Sequence, residues 1–233
     1  MATGDLLKIY ADRLSQPSRA VIIFSQVNGI QFEEQKIKLF SPDVQKPDFI
    51  AANPLKKVPA ISHGNFTLFE SHAILTYLAC WFLVPDHWYP SDLRKRAKIQ
   101  SVLDWHHSNL RYGSTRYLMN TVLAPFLGKK PNLEAAAEYE LKLGEAFSTI
   151  ETLWLKDDSK FLLGNVQPSV ADLSLVCETM QLHMLPEEDT KRILGPHKKI
   201  QQWVENVREA TNPHFDEVHK HLFDTIAIFY KKA

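Results

Sequence analysis

The sequence predicts an α/β N-terminal domain with a mixed four-stranded sheet, followed by an all-α C-terminal domain. Strand and helix signals alternate over residues 1–83, whereas residues 94–233 carry only helical patterns. The intervening segment, residues 84–93 (VPDHWYPSDL), contains two prolines and a polar cluster and is typical of a linker. We therefore expect two domains, at residues 1–83 and 94–233.

The N-terminal elements follow one another as strand, helix, strand, hairpin and helix. Leu6–Tyr10 and Phe32–Leu39 are typical of strands, the second near a sheet edge. Between them, a proline in the first turn and Gly29 after the last turn predict a helix. Two apolar runs, Val58–Ser62 and Thr67–Phe69, flank a turn sequence and predict a hairpin. One crossover helix and one hairpin imply a mixed sheet.

The C-terminal half is predicted to be helical throughout, because apolar residues recur there at helical spacing. The clearest stretches are Leu93–Asn109, Leu133–Leu155, Ser169–Leu185, His197–Arg208 and His214–Tyr230.

Composition narrows the classes of function. The 233 residues include 27 basic and 27 acidic side chains, a net charge of +0, so the basic excess of a dedicated nucleic-acid binder is missing. No apolar run is long enough for a membrane span, and the N-terminus does not resemble a signal peptide. Cys80 and Cys177 are far apart, which favours two buried thiols over a disulfide or a zinc site. We expect a cytoplasmic protein.

Two helix starts are candidates for chemistry. Ser15 lies at the first strand-to-helix turn, where backbone N–H groups and the helix dipole favour an anion. Glu70 and Ser71 stand at the start of the helix that follows the hairpin. Helix capping alone would also explain these residues. Tyr10 and Ser18 are weaker alternatives to Ser15, as packing and first-turn residues.

The histidines do not predict a metal site. His106 and His107 are adjacent on a helix, and adjacent residues do not share a helical face. His214, His219 and His221 lack the i,i+4 spacing of helical zinc ligands. We therefore expect no bound metal.

A cluster of large side chains in the helical half remains open to two interpretations. Core packing accounts for its aromatic members, and a surface ion pair is the ordinary role of its cation. The cluster consists of Trp105, Arg111, Tyr112 and Tyr117.

In this order and spacing, several segments resemble the glutathione S-transferase family, in particular the plant branch of its theta class. DRLSQPSRAV is similar to the strand-turn-helix segment that carries the catalytic serine, and NPLKKVPAI to the loop before the family's cis-proline. LFESHAILTYL resembles the start of the γ-glutamyl-binding helix, while DHWYPSDL and VLDWHH are similar to theta-class segments. SVADLSL resembles the family's capping motif. The resemblance covers nearly the whole chain.

The resemblance implies a thioredoxin-like N-terminal domain and a role for each matching residue. Ser15 would donate a hydrogen bond to the glutathione sulfur. Val58, held by a cis Pro59, would pair its backbone with the cysteinyl part, while Glu70 and Ser71 would bind the γ-glutamyl ammonium and carboxylate. The remaining implied contacts are Lys57, Gln45 and Lys46 at the glycyl carboxylate, Arg111, Trp105 and Tyr117 at the electrophile pocket, and Ser169 with Asp172 at a helix cap.

The resemblance also implies a homodimeric detoxification enzyme with glutathione as co-substrate and no permanently bound cofactor. It would conjugate hydrophobic electrophiles and reduce organic hydroperoxides. The alternative is a non-catalytic carrier of hydrophobic ligands in the same fold. Two features depart from the family: Lys56 stands where glycine is frequent, and the terminal IFYKKA lacks the SKL-type tripeptide, which argues against a peroxisomal address.

Overall fold

The computed structural model describes residues 6–156 and 159–232. The ends of the chain, on which the expectations about targeting depend, lie partly outside these ranges. Among the described helices, none combines the length and the apolarity that crossing a bilayer requires.

The N-terminal sheet is mixed and four-stranded, which confirms the predicted architecture. β1 pairs in parallel with β2 and antiparallel with β3, and β4 completes the hairpin with β3, giving the order β2-β1-β3-β4. β2 is an edge strand, as its partly alternating sequence predicts. The strands are β1 Leu7–Ala11, β2 Glu33–Lys36, β3 Ala60–His63 and β4 Phe66–Phe69.

Three α-helices accompany the sheet. The first has Pro17 in its first turn, and Gly29 follows it at φ 64°, a left-handed conformation that glycine adopts without steric cost. The second is short and was not predicted. The helices are α1 Gln16–Val27, α2 Pro47–Ala52 and α3 Ser71–Trp81.

The C-terminal part of the chain, from Leu93 onward, is helical. Its long helices coincide with the predicted stretches, whereas α5, α6 and α9 were not delimited by the sequence. The helices are α4 Leu93–Ser108, α5 Leu110–Asn120, α6 Leu123–Phe126, α7 Leu133–Thr149, α8 Val170–Met180, α9 Glu187–Leu194, α10 Lys198–Thr211 and α11 His214–Lys232.

The segment between the two halves is packed onto the protein. Trp88 is 2% exposed, and its ring meets Phe24 of α1 edge to face at 5.4 Å between centroids. A single hydrophobic core extends from Ile9 of β1, through α1, to Leu173 of α8. The two halves are therefore joined by apolar packing as well as by the chain.

The two cysteines are free, but only one matches the expectation of buried thiols. Cys177 is buried in α8, and desolvation raises the pKa of its thiol to about 12. Cys80 is exposed in the last turn of α3, so the prediction that both thiols are buried is wrong for this residue. The helical stripe that buries Leu78 leaves Cys80 on the solvent side.

Candidate active site

A cleft of about 220 Å³ lies where the N-terminal half meets the helical half. The start of α1, the loop before β3 and the start of α3 form one side, and α4, α5 and α8 form the other. Of the residues singled out in the sequence, the cleft brings together Lys57, Val58, Pro59, Glu70, Ser71 and Arg111.

Ser15 precedes α1 in an extended conformation and is 7% exposed. Its N–H donates to the Asp12 carbonyl at 2.9 Å, while its hydroxyl does not cap α1 and bonds to none of the described residues. Leu14 lines a second, larger cavity and Pro17 lines the cleft. Ser15 therefore lies in the short segment between two cavities, with a hydroxyl that helix capping does not occupy.

The loop before β3 presents a backbone edge to the cleft. The Val58–Pro59 peptide bond is cis. Within the described parts of the chain, neither the N–H nor the C=O of Val58 has a backbone partner. Such an edge can pair with an extended peptide.

The start of α3 is the second polar element of the cleft. Glu70 is exposed at φ 70°, in the left-handed region that side chains other than glycine rarely adopt. Ser71 follows as the first helical residue and is 7% exposed. The first N–H groups of the helix and the Ser71 hydroxyl together form a place for a carboxylate.

The predicted contacts for a glycyl carboxylate divide into two groups. Lys57 is exposed and lines the cleft. Gln45 accepts a 2.6 Å hydrogen bond from Lys56, and Lys46 forms a 2.8 Å ion pair with Asp43. Neither Gln45 nor Lys46 lines the cleft. Lys56 adopts φ 57°, so the glycine-like backbone is kept although a lysine occupies the position.

The three residues assigned to the electrophile pocket do not come together. Arg111 lines the cleft. Trp105 packs edge to face on Trp154 at 4.7 Å, and Tyr117 is 5% exposed with its hydroxyl 3.2 Å from Arg192. Trp105 is partly buried against the core and Tyr117 is buried within it, and neither lines either cavity.

The charged residue at the centre of the cleft, Glu178, is not among those singled out in the sequence. Glu178 of α8 is fully buried and forms a 2.7 Å ion pair with Arg111. Its carboxylate also accepts hydrogen bonds from Gln16, Ser114 and Thr115. The sequence of α8 holds two acidic residues, Asp172 and Glu178, among mostly apolar ones, but it does not show which partners Glu178 meets on other helices.

The environment keeps Glu178 ionised. Burial alone raises the pKa of a carboxyl, but the Arg111 charge, His106 and the Ser114 hydroxyl outweigh it and lower the pKa of Glu178 to about 2. The carboxylate thus fixes Arg111 at the cleft wall and connects the helical half to Gln16 at the start of α1.

A fully buried cation, Arg19, holds the loop that carries Ser15. Its guanidinium donates to the carbonyls of Arg13 and Leu14 at 3.1 and 3.0 Å. It also donates to the Cys177 carbonyl at 2.9 Å and to the Gln181 side chain at 2.7 Å, both in the helical half. The position of the loop before Ser15 is therefore set from α8.

The structure corrects the prediction for the adjacent histidines. His72 of α3 comes to His106 and His107 from across the cleft, and one ring nitrogen of each lies within 4.8 Å of the others. The prediction that His106 and His107 cannot direct both rings at one point is wrong, because a nitrogen of each ring lies close to the ring of His72. The sequence could not indicate this approach, since it depends on the packing of α3 on α4.

The second cavity measures about 650 Å³ and lies on the other side of the Ser15 loop. Apolar side chains from the loop after β2 and from α6, including Leu39, Phe40 and Phe126, form part of its wall. Polar residues of α11, including Lys220 and His221, form another part. The cavity is large enough for an organic molecule of drug size.

The start of α8 has the hydrogen bonds of a capping motif. Asp172 Oδ2 accepts from both the N–H and the hydroxyl of Ser169 at 2.8 Å. Its other oxygen accepts from the Leu162 N–H and the Trp203 indole, each at 2.9 Å. The motif thereby joins α8 to α10 and supports the helix that carries Glu178.

Comparison with known proteins identifies the family. Residues 7–80 match the family model for the glutathione S-transferase N-terminal domain. Glutathione S-transferase T1 of Arabidopsis thaliana is 59% identical over 97% of this chain and 93% of its own length. Glutathione S-transferase T2 of the same plant is 58% identical over 97% of this chain, which spans 38% of that longer relative.

A solved structure agrees in fold. The human glutathione transferase theta-2 in complex with glutathione superposes with a TM-score of 0.88 and 33% identity, covering 97% of this chain and 91% of the human chain. The N-terminal sheet with its helices is accordingly a thioredoxin-like domain. From the sheet, the cleft and these relatives together, the chain belongs to the glutathione S-transferase family and is a glutathione transferase of the theta class.

Proposed function

We propose that the cleft binds glutathione and that Ser15 stabilises the thiolate, which then attacks a hydrophobic electrophile. The observation that carries this proposal is the hydroxyl of Ser15, which is nearly buried at the start of α1 and bonds to none of the described residues. A hydroxyl that does not cap its helix remains available as a donor to a sulfur atom.

One hydroxyl at a helix start can provide the free energy needed to lower the pKa of the glutathione thiol. A free cysteine thiol has a pKa of about 8.5, so only about 3% is ionised at pH 7. Lowering that pKa by about two units requires roughly 2.7 kcal/mol. A hydrogen bond to a charged group contributes about 1.5–3 kcal/mol and a helix N-terminus about 0.3–1 kcal/mol. Ser15 and the start of α1 together supply the required amount.

The cleft offers a partner for each part of the tripeptide. The unpaired Val58 backbone would bond to the cysteinyl residue, and Lys57 would bind the glycyl carboxylate. Glu70 would accept from the γ-glutamyl ammonium, and Ser71 with the α3 N-terminus would bind its carboxylate. Gln45 and Lys46 remain weaker proposals at the glycyl end, since each already has a partner.

The electrophile would enter from the second cavity. Leu14, which precedes Ser15, lines this cavity, and its apolar wall suits a hydrophobic molecule. Arg111 would face the reacting sulfur from the cleft side. Trp105 and Tyr117 would act only through packing, because neither lines a cavity and both pack on the core.

The same thiolate would also reduce organic hydroperoxides. The glutathione sulfur attacks a peroxide oxygen, the O–O bond breaks, and an alcohol leaves after protonation. A second glutathione then displaces the sulfenic oxygen as water, giving glutathione disulfide. A carrier without catalysis is the alternative, and it would need only the large cavity.

We propose that the enzyme acts as a homodimer that detoxifies electrophiles. An exposed aromatic surface supports the dimer: Phe66 is 46% and Trp81 is 62% exposed, beside Tyr77 and His63. A second copy of the chain would cover these rings.

The Ser15→Ala variant tests the mechanism. We expect at least tenfold lower turnover with an electrophile and with an organic hydroperoxide, since the thiol loses its hydrogen-bond donor. Glutathione affinity should be nearly unchanged, because other residues bind the tripeptide. Steady-state kinetics and calorimetric titration with glutathione measure the two quantities.

Ser18→Ala is the matched control. Ser18 is fully buried one turn further along α1, and its hydroxyl has no hydrogen-bond partner among the described residues. This variant should keep wild-type kinetics. Full activity of Ser15→Ala with both substrates would reject the mechanism, and a wild type that binds glutathione but turns over neither substrate would support the carrier.

A further inference from the structure

Three imidazole rings from two halves of the protein meet beside the cleft. His72 comes from the first turn of α3, and His106 and His107 come from the end of α4. One nitrogen of each ring lies within 4.8 Å of the other two. The ring centroid of His72 lies 5.3 Å from that of His106 and 4.4 Å from that of His107.

The closest pair already has the spacing of two ligands on one metal ion. His106 Nδ1 and His72 Nε2 are 3.2 Å apart. Zinc–nitrogen bonds of about 2.0–2.1 Å in a tetrahedral site place two ligand nitrogens about 3.3 Å apart. His107 is exposed, and the site requires its side chain to rotate until the third nitrogen reaches the same distance.

The hydrogen bonds around the rings do not satisfy every ring nitrogen. His72 Nε2 has two close neighbours, His106 Nδ1 and the Ser174 hydroxyl at 2.7 Å, although a neutral ring nitrogen offers one proton or one lone pair. His106 Nε2 is buried without a hydrogen-bond partner among the described residues. It lies 3.7 Å from the Glu178 carboxylate.

That carboxylate is placed as the outer partner of a metal-bound histidine. Ligating histidines usually direct their second ring nitrogen at a carboxylate, which orients the ring. Glu178 faces Nε2 of His106, which leaves Nδ1 for the ion. The nearby positive charge of Arg111 is balanced, because the same carboxylate pairs with it at 2.7 Å.

The geometry points to a binding site for one divalent cation of the zinc class, held by His72, His106 and His107. Three imidazoles suit Zn²⁺, Co²⁺, Ni²⁺ or Cu²⁺ and disfavour Mg²⁺ and Ca²⁺, which prefer oxygen ligands. His106, His107 and Ser174 line the cleft, so the ion has a path from solvent and its fourth position opens into the cleft. The site adjoins the cleft proposed for glutathione, but none of its three histidines has a role in the transferase mechanism proposed above.

Direct binding to the full chain, without glutathione, tests the proposal. We titrate metal-free protein with ZnCl₂ in a calorimeter and with CoCl₂ in a spectrophotometer, where tetrahedral Co²⁺ gives visible absorption. We expect one saturable ion per chain and at least tenfold weaker Zn²⁺ binding by His107→Gln. The exposed position of His107 allows this variant to fold, and circular dichroism checks it.

Two control variants test whether side chains outside the proposed site bind the ion. His214→Gln removes a partly exposed histidine at the start of α11, and Cys80→Ser removes the exposed thiol. Both should bind Zn²⁺ as the wild type does. The proposal is overturned if the wild type shows no saturable ion, if His107→Gln binds equally well, or if Cys80→Ser weakens binding as much as His107→Gln. Because glutathione is absent, these outcomes leave the transferase proposal untouched.

Discussion

At the scale of single residues, the buried carboxylate of Glu178 organises the cleft. It is fully buried, yet it is surrounded by Arg111 at 2.7 Å and by hydroxyl and amide donors from α1 and α5. Removing one member of a buried ion pair leaves the other without compensation. The stability of the protein should therefore depend on this charge more than on any surface pair.

We expect Glu178→Gln to lower the free energy of unfolding by about 2 kcal/mol. The value lies below the ~3–5 kcal/mol of fully buried pairs because the Arg111 side chain is 32% exposed and reaches water. Urea unfolding followed by fluorescence measures it. Lys220→Ala, which breaks the exposed Lys220–Asp224 pair, is the control and should change stability little. Equal stability of Glu178→Gln and wild type would contradict the argument.

Single residues also mark the limit of the sequence reasoning. Ser15, Glu70 and Ser71 could be singled out because a helix start follows from local sequence. Glu178 and His72 could not, because their partners lie on other elements and only the packing of the helices brings them together. Trp105 was assigned to a pocket on the basis of resemblance, whereas its contact with Trp154 depends on the same packing.

At the scale of elements, α5 and α7 approach one another closely at a glycine. A Cβ added to Gly113 would lie 2.9 Å from the backbone N and 3.0 Å from the Cα of Leu143. These are main-chain atoms and cannot rotate away, so a methyl group must push the two helices apart. Gly144, the next residue on α7, faces open space.

We expect Gly113→Ala to destabilise the protein by about 1–3 kcal/mol, the usual cost of overpacking. Gly144→Ala is the matched substitution and should stabilise it by up to about 1 kcal/mol, since alanine favours a helix over glycine. Thermal unfolding of both variants measures the difference. Similar melting temperatures for the two would show that α5 and α7 can separate freely.

The elements that the sequence failed to delimit are the short and polar ones. α2 has only six residues, too few for a helical period to be recognised. α5 follows α4 across Asn109 alone, and its sequence LRYGSTRYLMN is rich in polar residues and includes one glycine. The long helices and strands β1, β3 and β4 were predictable, because each repeats an apolar pattern over its own length, whereas β2 (EEQK) was recognised from the apolar residues that flank it.

At the scale of the whole molecule, three buried histidines and one half-buried histidine set the response to acid. Desolvation lowers the pKa of His72 to about 2 and that of His219 to about 3, and it also lowers the pKa of His106 and His183. A neutral buried imidazole resists protonation, whereas the same residue in the unfolded chain takes up a proton near pH 6.5.

We expect the free energy of unfolding to fall as the pH drops from 7 to 5. A folded-state pKa below the unfolded value means that the unfolded chain binds more protons, so acid favours unfolding. His72 and His219, whose folded-state pKa values lie well below 5, each contribute up to about 1.4 kcal/mol per pH unit below about 6.5. Urea unfolding at several pH values, with a chelator present, measures the slope.

His219→Gln reduces the number of these groups by one and should flatten the slope. The variant is compared with His214→Gln, whose side chain is partly exposed beside Glu217. A stability that is constant between pH 7 and 5 would contradict the argument. The measurement stays above pH 5 because carboxyl groups titrate below it.

Arg19 anchors the Ser15 loop mainly through main-chain atoms, so side chains around the anchor can change during evolution. Three of the four groups that accept from this guanidinium are main-chain carbonyls, those of Arg13, Leu14 and Cys177. A carbonyl is present whatever the side chain, so substitutions at those positions leave the anchor intact. Side chains of the helical half can therefore diverge while a single arginine keeps the Ser15 loop in place.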